Sequence, residues 1–301
     1  MNIVPVPDSV RGYLADLRKA LKGAPKGLIS DALADCEEHL NMEIAQNPDL
    51  GEAEVMAQVI ETYGSPQEIA EEYRDMEAAI STPFPKQPEN ADSHNGGFFG
   101  VVSDPRTYGA LLYMLLSLIT GIFYFTWAVA GLSISLSTSI LIFGIFIALL
   151  FIASIRMLSH VEGRIVEGLL GVRMPRRLPP TTPPDEKIWT QIKEAFSDVR
   201  TWTSIAYLLL MLPLGVIYFT LSIVGLALSL GVTGGSLYSL VTNESHVQIA
   251  EVPWLDHLFH TAPGLILLAI AGILFFFVVL HIARAIGWMH GKIAESLLVR
   301  L

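Results

Sequence analysis

Residues 103 to 136 read SDPRTYGALLYMLLSLITGIFYFTWAVAGLSISL, and 94 positions further on residues 197 to 230 read SDVRTWTSIAYLLLMLPLGVIYFTLSIVGLALSL. Sixteen of these 34 positions are identical, among them Asp104/Asp198, Arg106/Arg200, Tyr113/Tyr207, Gly121/Gly215, Tyr124/Tyr218, Thr126/Thr220 and Gly131/Gly225. A second match follows at an offset of 128, equating Arg156/Arg284, Gly163/Gly291, Arg164/Lys292, Glu167/Glu295 and Leu169-Leu170/Leu297-Leu298. The two offsets differ because the second copy carries a longer segment between its two apolar helices. Each copy therefore reads as an inner elbow, an apolar helical hairpin and a charged helical extension, and a fold must accommodate the same unit twice. Two spans per copy make the repeats parallel, related about an axis near the membrane normal.

The apolar content places that unit in a bilayer. Hydrophobic residues make up 52% of the chain and charged residues only 16%, where soluble domains carry roughly 25% charged. Four apolar stretches, at about 108–135, 138–155, 203–231 and 262–283, have the length of a membrane span, for which about 20 helical residues suffice. None of them contains Asp, Glu, Lys or Arg, which disfavours an ion pump or ion-coupled carrier. The segment between spans two and three holds Arg156, Arg164, Arg173, Arg176, Arg177, Lys187, Lys193 and Arg200, whereas the two loops on the other side hold no base. That bias predicts a cytoplasmic middle loop and cytoplasmic termini in a bacterial inner membrane. The first long apolar run begins only near Tyr108, so no cleaved secretory signal is expected.

Residues 1–80 carry 16 acids and 6 bases, which accounts for the whole formal charge of −10. An acidic head disfavours direct nucleic-acid binding and flat docking on anionic lipid, both of which need basic surface. Its pattern predicts four helices, at about Asp8–Lys22, Lys26–Gln46, Gly51–Tyr63 and one opened by Ser65-Pro66-Gln67-Glu68, a capping box with proline in the first turn. The single cysteine, Cys36, lies in helical register with Ile29, Ala32 and Leu40. This predicts a buried small residue; the alternative is a reactive thiol.

The segments YLADLRKAL from Tyr13, DALADCEEHL from Asp31 and VIETYGSPQEIAEEYR from Val59 to Arg74 resemble the HAAS domain, a helical module of prokaryotic membrane signalling proteins; Gly64 to Ala70 is the most specific part. The resemblance implies protein interaction, often with PadR-type transcription regulators, and no catalytic residues. Residues 103–301 are similar to the sensor domain that precedes kinase modules in some bacterial signalling proteins, although no kinase follows here. Between them, residues 81–102 are rich in Pro, Gly and polar residues and are expected to form an extended linker.

The functional residues divide into three groups. Tyr113, Tyr124, Tyr207 and Tyr218 are candidates for a polar or lipid-binding crevice between repeats, or for interhelical packing with the repeated glycines. His246, Asp256, His257 and His260 lie in the segment after span three; Trp254, Leu255, Leu258 and Phe259 predict a short helix on the membrane surface there. The histidines are candidate metal or proton ligands, with a plain interfacial helix as the simpler reading. Arg173, Arg176 and Arg177 are candidate contacts for anionic lipid or for the acidic head. A second amphipathic helix is expected over 186–202.

No phosphate loop, nucleophile elbow, HExxH or paired cysteine is present in the sequence. The expectation is an all-α protein: a four-helix cytoplasmic head, and a four-helix transmembrane domain built from two parallel repeats. Its expected role is non-enzymatic signalling without a cofactor, through a PadR-like or sigma-like cytoplasmic regulator, membrane lipid, and possible self-association. The alternatives are a small transporter or lipid-binding membrane protein, and a constitutive scaffold or anti-sigma-like tether.

Overall fold

The computed structural model describes residues 7–79, 98–138, 142–176, 196–242 and 260–299. Among the described residues eight α-helices run in chain order: α1 Val10–Ala20, α2 Lys26–Gln46, α3 Glu52–Thr62, α4 Pro66–Ala79, α5 Pro105–Thr138, α6 Ile142–Leu170, α7 Val199–Thr242 and α8 Ala262–Leu298. Among the described residues there is no strand. The helices fall into two compact units, one holding the head, residues 131–207 and residues 292–301, the other holding 86–130 and 208–291.

The head forms because each amphipathic helix can bury its stripe only against the others. Tyr13, Leu17 and Leu21 meet Ile29, Ala32, Cys36 and Leu40 of α2, Val55, Met56 and Val59 of α3, and Ile69 and Ala70 of α4. Burying each large aliphatic side chain contributes about 1.5–3 kcal/mol, so this cluster is the main reason the head folds. Ser9 is the cap of α1, its hydroxyl accepting from the Gly12 amide at 3.2 Å. The helix therefore begins two residues later than the pattern predicts, because the cap defines the start. The Ser65–Glu68 box forms as expected: the Glu68 carboxylate accepts from the Ser65 amide at 2.8 Å and Ser65 Oγ from the Glu68 amide at 3.4 Å. The Ser65 amide and the Ser65 hydroxyl, which also donates to the carboxylate at 2.9 Å, hold the Glu68 carboxyl below its ordinary range. Gly64, at φ +116°, makes the turn before it, and Tyr13 Oη donates to its carbonyl at 2.9 Å. Cys36 is fully buried, and burial pushes its thiol up to about 11.

The four long helices have 34, 29, 44 and 37 residues, and all are long and apolar enough to span a membrane. They exceed the predicted spans because the helical extensions continue α6 and α8 without a break. α7 likewise runs on to Thr242, where a loop was expected from Val232. The reason is packing: a Cβ on Gly272 of α8 would lie 2.4 Å from Thr233 Oγ1 and 3.1 Å from the Ser229 carbonyl oxygen, so the two helices touch closely at that level. At the other end of the expected linker, Phe98–Ser103 forms a 3-10 turn rather than extended chain. Phe98 stacks on His281 and its carbonyl accepts from His281 Nε2 at 3.0 Å.

The repeated elbow is a helix cap. Asp104 accepts from the Arg106 amide at 3.0 Å and Asp198 from the Arg200 amide at 2.9 Å, so the same carboxylate opens α5 and α7. At the crossing of these two helices the repeat is read reciprocally. A Cβ on Gly121 would lie 2.5 Å from the Met211 carbonyl oxygen, and one on Gly215 would lie 2.3 Å from that of Ser117. Position 117 is the repeat equivalent of 211, as 121 is of 215, so the contact is two-fold symmetric and backbone meets backbone where only glycine fits.

Candidate functional site

The head carries ten of its sixteen acids on α2 and α4, and the chain brings an arginine to this pair of helices. Gly171, at φ +71°, ends α6 with its amide donating to the Glu167 carbonyl at 3.1 Å, and this left-handed residue reverses the chain. Residues 172–176 then lie against the start of α2. Gly27 permits the approach, since a Cβ there would come within 2.7 Å of the Arg173 carbonyl oxygen.

Arg173 lies at the centre of the seam with its side chain only 7% exposed. Nε donates to both Glu77 oxygens, at 3.2 and 3.0 Å, Nη2 donates to Asp31 Oδ2 at 2.9 Å, and Nη1 donates to the Met174 carbonyl. The Arg176 amide adds two bonds to the Asp31 carboxylate, at 2.8 and 3.0 Å. Glu167 of α6 completes the cluster, 2.6 Å from Arg164, 3.4 Å from Arg176 and 3.8 Å from Arg173. Arg164 Nη2 also donates to the Met174 and Pro175 carbonyls, at 3.1 and 2.6 Å, holding the reversed segment on α6. Three guanidiniums thus face three carboxylates; Arg173, Asp31, Glu77 and Glu167 are buried, whereas the Arg164 and Arg176 side chains are each 35% exposed. The buried part contributes little net stability over an apolar one, but removing Arg173 leaves uncompensated buried charge at a cost of about 3–5 kcal/mol. The arrangement therefore holds the head in one specific place and is sensitive to any change in charge.

A second set of polar contacts sits between the long helices. Tyr207 of α7 donates to Glu162 of α6 at 3.0 Å, with both side chains buried. In the other unit Tyr113 of α5 bonds His290 Nε2 and Tyr218 of α7 bonds His290 Nδ1 at 3.3 Å. Glu162 and His290 are 128 positions apart, so one position of the repeat supplies a carboxylate in the first copy and an imidazole in the second. The capping aspartates follow the same rule: Asp198 pairs with Arg156 at 3.1 Å and Asp104 with Arg284 at 3.5 Å. In the Tyr207–Glu162, Tyr113–His290, Asp198–Arg156 and Asp104–Arg284 contacts the second helix of one copy bonds the first helix of the other, while Tyr218–His290 lies within the second copy.

Of the residues singled out in the sequence, Arg173 and Arg176 meet the head, and Arg177 lies outside the described residues. Tyr113, Tyr207 and Tyr218 are buried and joined to Glu162 or His290, and Tyr124 is buried beside Phe123. His246, Asp256 and His257 lie outside the described residues, as does most of the helix expected over 186–202. His260 is exposed at the start of the segment leading to α8. Among the described residues, no three His, Cys, Asp or Glu side chains come together as a metal site. Arg164 and Glu167, three apart on α6, pair with each other, and the chain reversal at Gly171 brings the Glu167 carboxylate into the cluster as well. Asp31, Glu77, Glu162 and His290 were not singled out in the sequence. The last two carry a signal that could have found them, a polar residue at matching positions of the repeat.

A helical interaction head joined to a duplicated four-helix membrane domain defines a multi-pass membrane protein of signalling type. The Sensor family model matches residues 113–298 and the HAAS model residues 12–72. The chain belongs to the Sensor family and carries a HAAS domain at its head. No curated protein and no solved structure matches it.

Proposed function

We propose that this protein is a non-enzymatic regulator of a bacterial inner membrane, with both termini cytoplasmic, whose acidic head passes between a docked and a released state. The head is residues 1–80, the linker 81–102 and the sensing domain 103–301. In the docked state Arg173 and Arg176 cover Asp31 and Glu77. In the released state the same acidic face of α2 and α4 is open to a cytoplasmic regulator, PadR-like or sigma-like by family resemblance. A stimulus received by the membrane helices shifts the balance between the two.

The observation that supports this reading is the buried contact of Arg173 with Asp31, Glu77 and Glu167. A partner with basic side chains would compete for the carboxylates that Arg173 holds. Because α6 carries Glu162, Arg164 and Glu167 within two turns, a shift of that helix reaches the seam through the Tyr207–Glu162 bond and through the cluster itself.

Charge reversal of Arg173, Arg176 and Arg177 in the full-length chain tests this. Release predicts faster amide exchange over Asp31 and Glu77 and greater capture of a PadR-like or sigma-like regulator. Unchanged exchange and unchanged capture would reject the switch. Capture that is strong and identical in both chains would favour the constitutive tether.

A further inference from the structure

Beside Gly225, α5, α7 and α8 leave a groove of about 210 Å³. Its floor is Met114, Ser222, Val279 and Ala283, all buried, and its rim includes Leu228 and Phe275, both well exposed. The Ser222 hydroxyl is engaged, donating to the Tyr218 carbonyl at 2.7 Å. What the groove offers an occupant is therefore almost wholly hydrocarbon.

The duplication explains why the groove exists. Val279 and Ala283 occupy the positions that Phe151 and Ile155 fill in the first copy, at the offset of 128. There the Phe151 ring lies directly on Gly131, the equivalent of Gly225: a Cβ at Gly131 would be 2.1 Å from the ring. In the second copy only the Val279 methyls approach Gly225, at 2.9 Å from a Cβ placed there. Two small side chains stand where the first copy has two large ones, and the space is left open. Packed protein interiors leave few voids larger than a water molecule, and an apolar cavity of about 150 Å³ already takes up benzene.

We infer that this groove holds one acyl chain of a bilayer phospholipid. The groove lies within helices that span the membrane, so hydrocarbon chains are the medium at its rim. A slot of this volume admits a single chain but not a helix of a second copy, about 10 Å across. The chain would rest on Met114 and Ala283, which pack with Tyr218 in one cluster. Tyr218 in turn bonds His290, so occupancy bears on the polar contact between α7 and α8. The inference deepens the proposed function by naming what the membrane domain reads. Its test follows binding alone, so it fails separately from the head switch.

The full-length chain is placed in nanodiscs of palmitoyl-oleoyl phosphatidylcholine containing a phosphatidylcholine analogue with a mid-chain diazirine, irradiated and mapped by peptide mass spectrometry. Adducts should concentrate on residues 220–228 and 275–283, roughly tenfold over their repeat equivalents 126–134 and 147–155, as expected for a chain gripped by many dispersion contacts. The substitution V279F/A283I, which restores the side chains of the first copy, should reduce them to the level of those equivalents. The converse F151V/I155A should raise adducts in the first copy. This second variant keeps the inference open to refutation if the first does not fold. Even labelling of both copies would overturn it, leaving only the general lipid annulus. So would protein–protein adducts from Phe275 or Leu228 to a second copy.

Discussion

Asp31 of the head and Arg173 beyond α6 lie 142 positions apart in the chain, and the guanidinium donates to the carboxylate at 2.9 Å. No local element brings them together. The contact depends on Gly27, which lets the Arg173 carbonyl approach α2, and on Gly171, which turns the chain back.

Gly27→Ala should therefore undock the head without altering any charge. Alanine is the better helix former by about 1 kcal/mol, so the head helix itself should gain, while a Cβ placed 2.7 Å from the Arg173 carbonyl oxygen cannot be accommodated. The expected outcome is loss of protection at the Arg176 amide, which Asp31 holds, with α1–α4 still protected, read by hydrogen exchange. A protected Arg176 amide in the variant would show that the seam does not need this approach.

Losing the buried Tyr207–Glu162 bond should cost about 1–3 kcal/mol, the range for depriving a buried polar group of a partner. Tyr207→Phe is expected to lower thermal stability in detergent by that amount. Pairing it with Glu162→Met should lose less than the sum of the two single changes, since an apolar pair leaves neither polar group behind in the interior. Strict additivity in this double-mutant cycle would mean that the two side chains do not interact.

The glycines divide by what surrounds them. Gly121→Ala and Gly215→Ala each set a Cβ within 2.5 Å of a carbonyl oxygen of the facing helix and should destabilise the membrane domain markedly. Gly168→Ala, with nothing within 4 Å, should stabilise it by about 0.5–1 kcal/mol. Melting of the three variants in one detergent decides the point.

Two groups in the head give opposite pH signatures. The carboxyl of Glu68 is held low by Ser65, so its contribution is present above the unfolded value of 4.5 and is lost as pH falls through the lower folded value. Glu68→Gln should flatten the acid limb of the head's stability curve. Cys36, pushed up to about 11, stays a thiol at pH 8 and should resist iodoacetamide until the head unfolds. Rapid alkylation of the native chain would show that Cys36 is accessible.

Much of this was legible because it is periodic or repeated. The apolar runs marked the four spans, the Ser65–Glu68 box marked the start of α4, and the two offsets marked both copies of the membrane unit. What escaped depends on contacts between distant segments. Glu77 looks like any surface acid on α4 until the chain reverses at Gly171, and Glu167 looks like half of an exposed helical pair. His290 was hidden because its partner position holds Glu162, a different chemistry at the same place. Helix ends were misplaced where a cap, as at Ser9, or close packing, as at Gly272, decided them.

The crossed bonds, Asp104 with Arg284 and Asp198 with Arg156, mean that neither half of the membrane domain is self-sufficient. A chain carrying only the first half would keep Asp104 and Arg156 while lacking the mate of each. It could satisfy both by associating with another copy of itself. The duplication thus has the form of a homodimer joined in one polypeptide, and a joined pair lets its halves differ, with Phe151 and Ile155 in one where Val279 and Ala283 stand in the other.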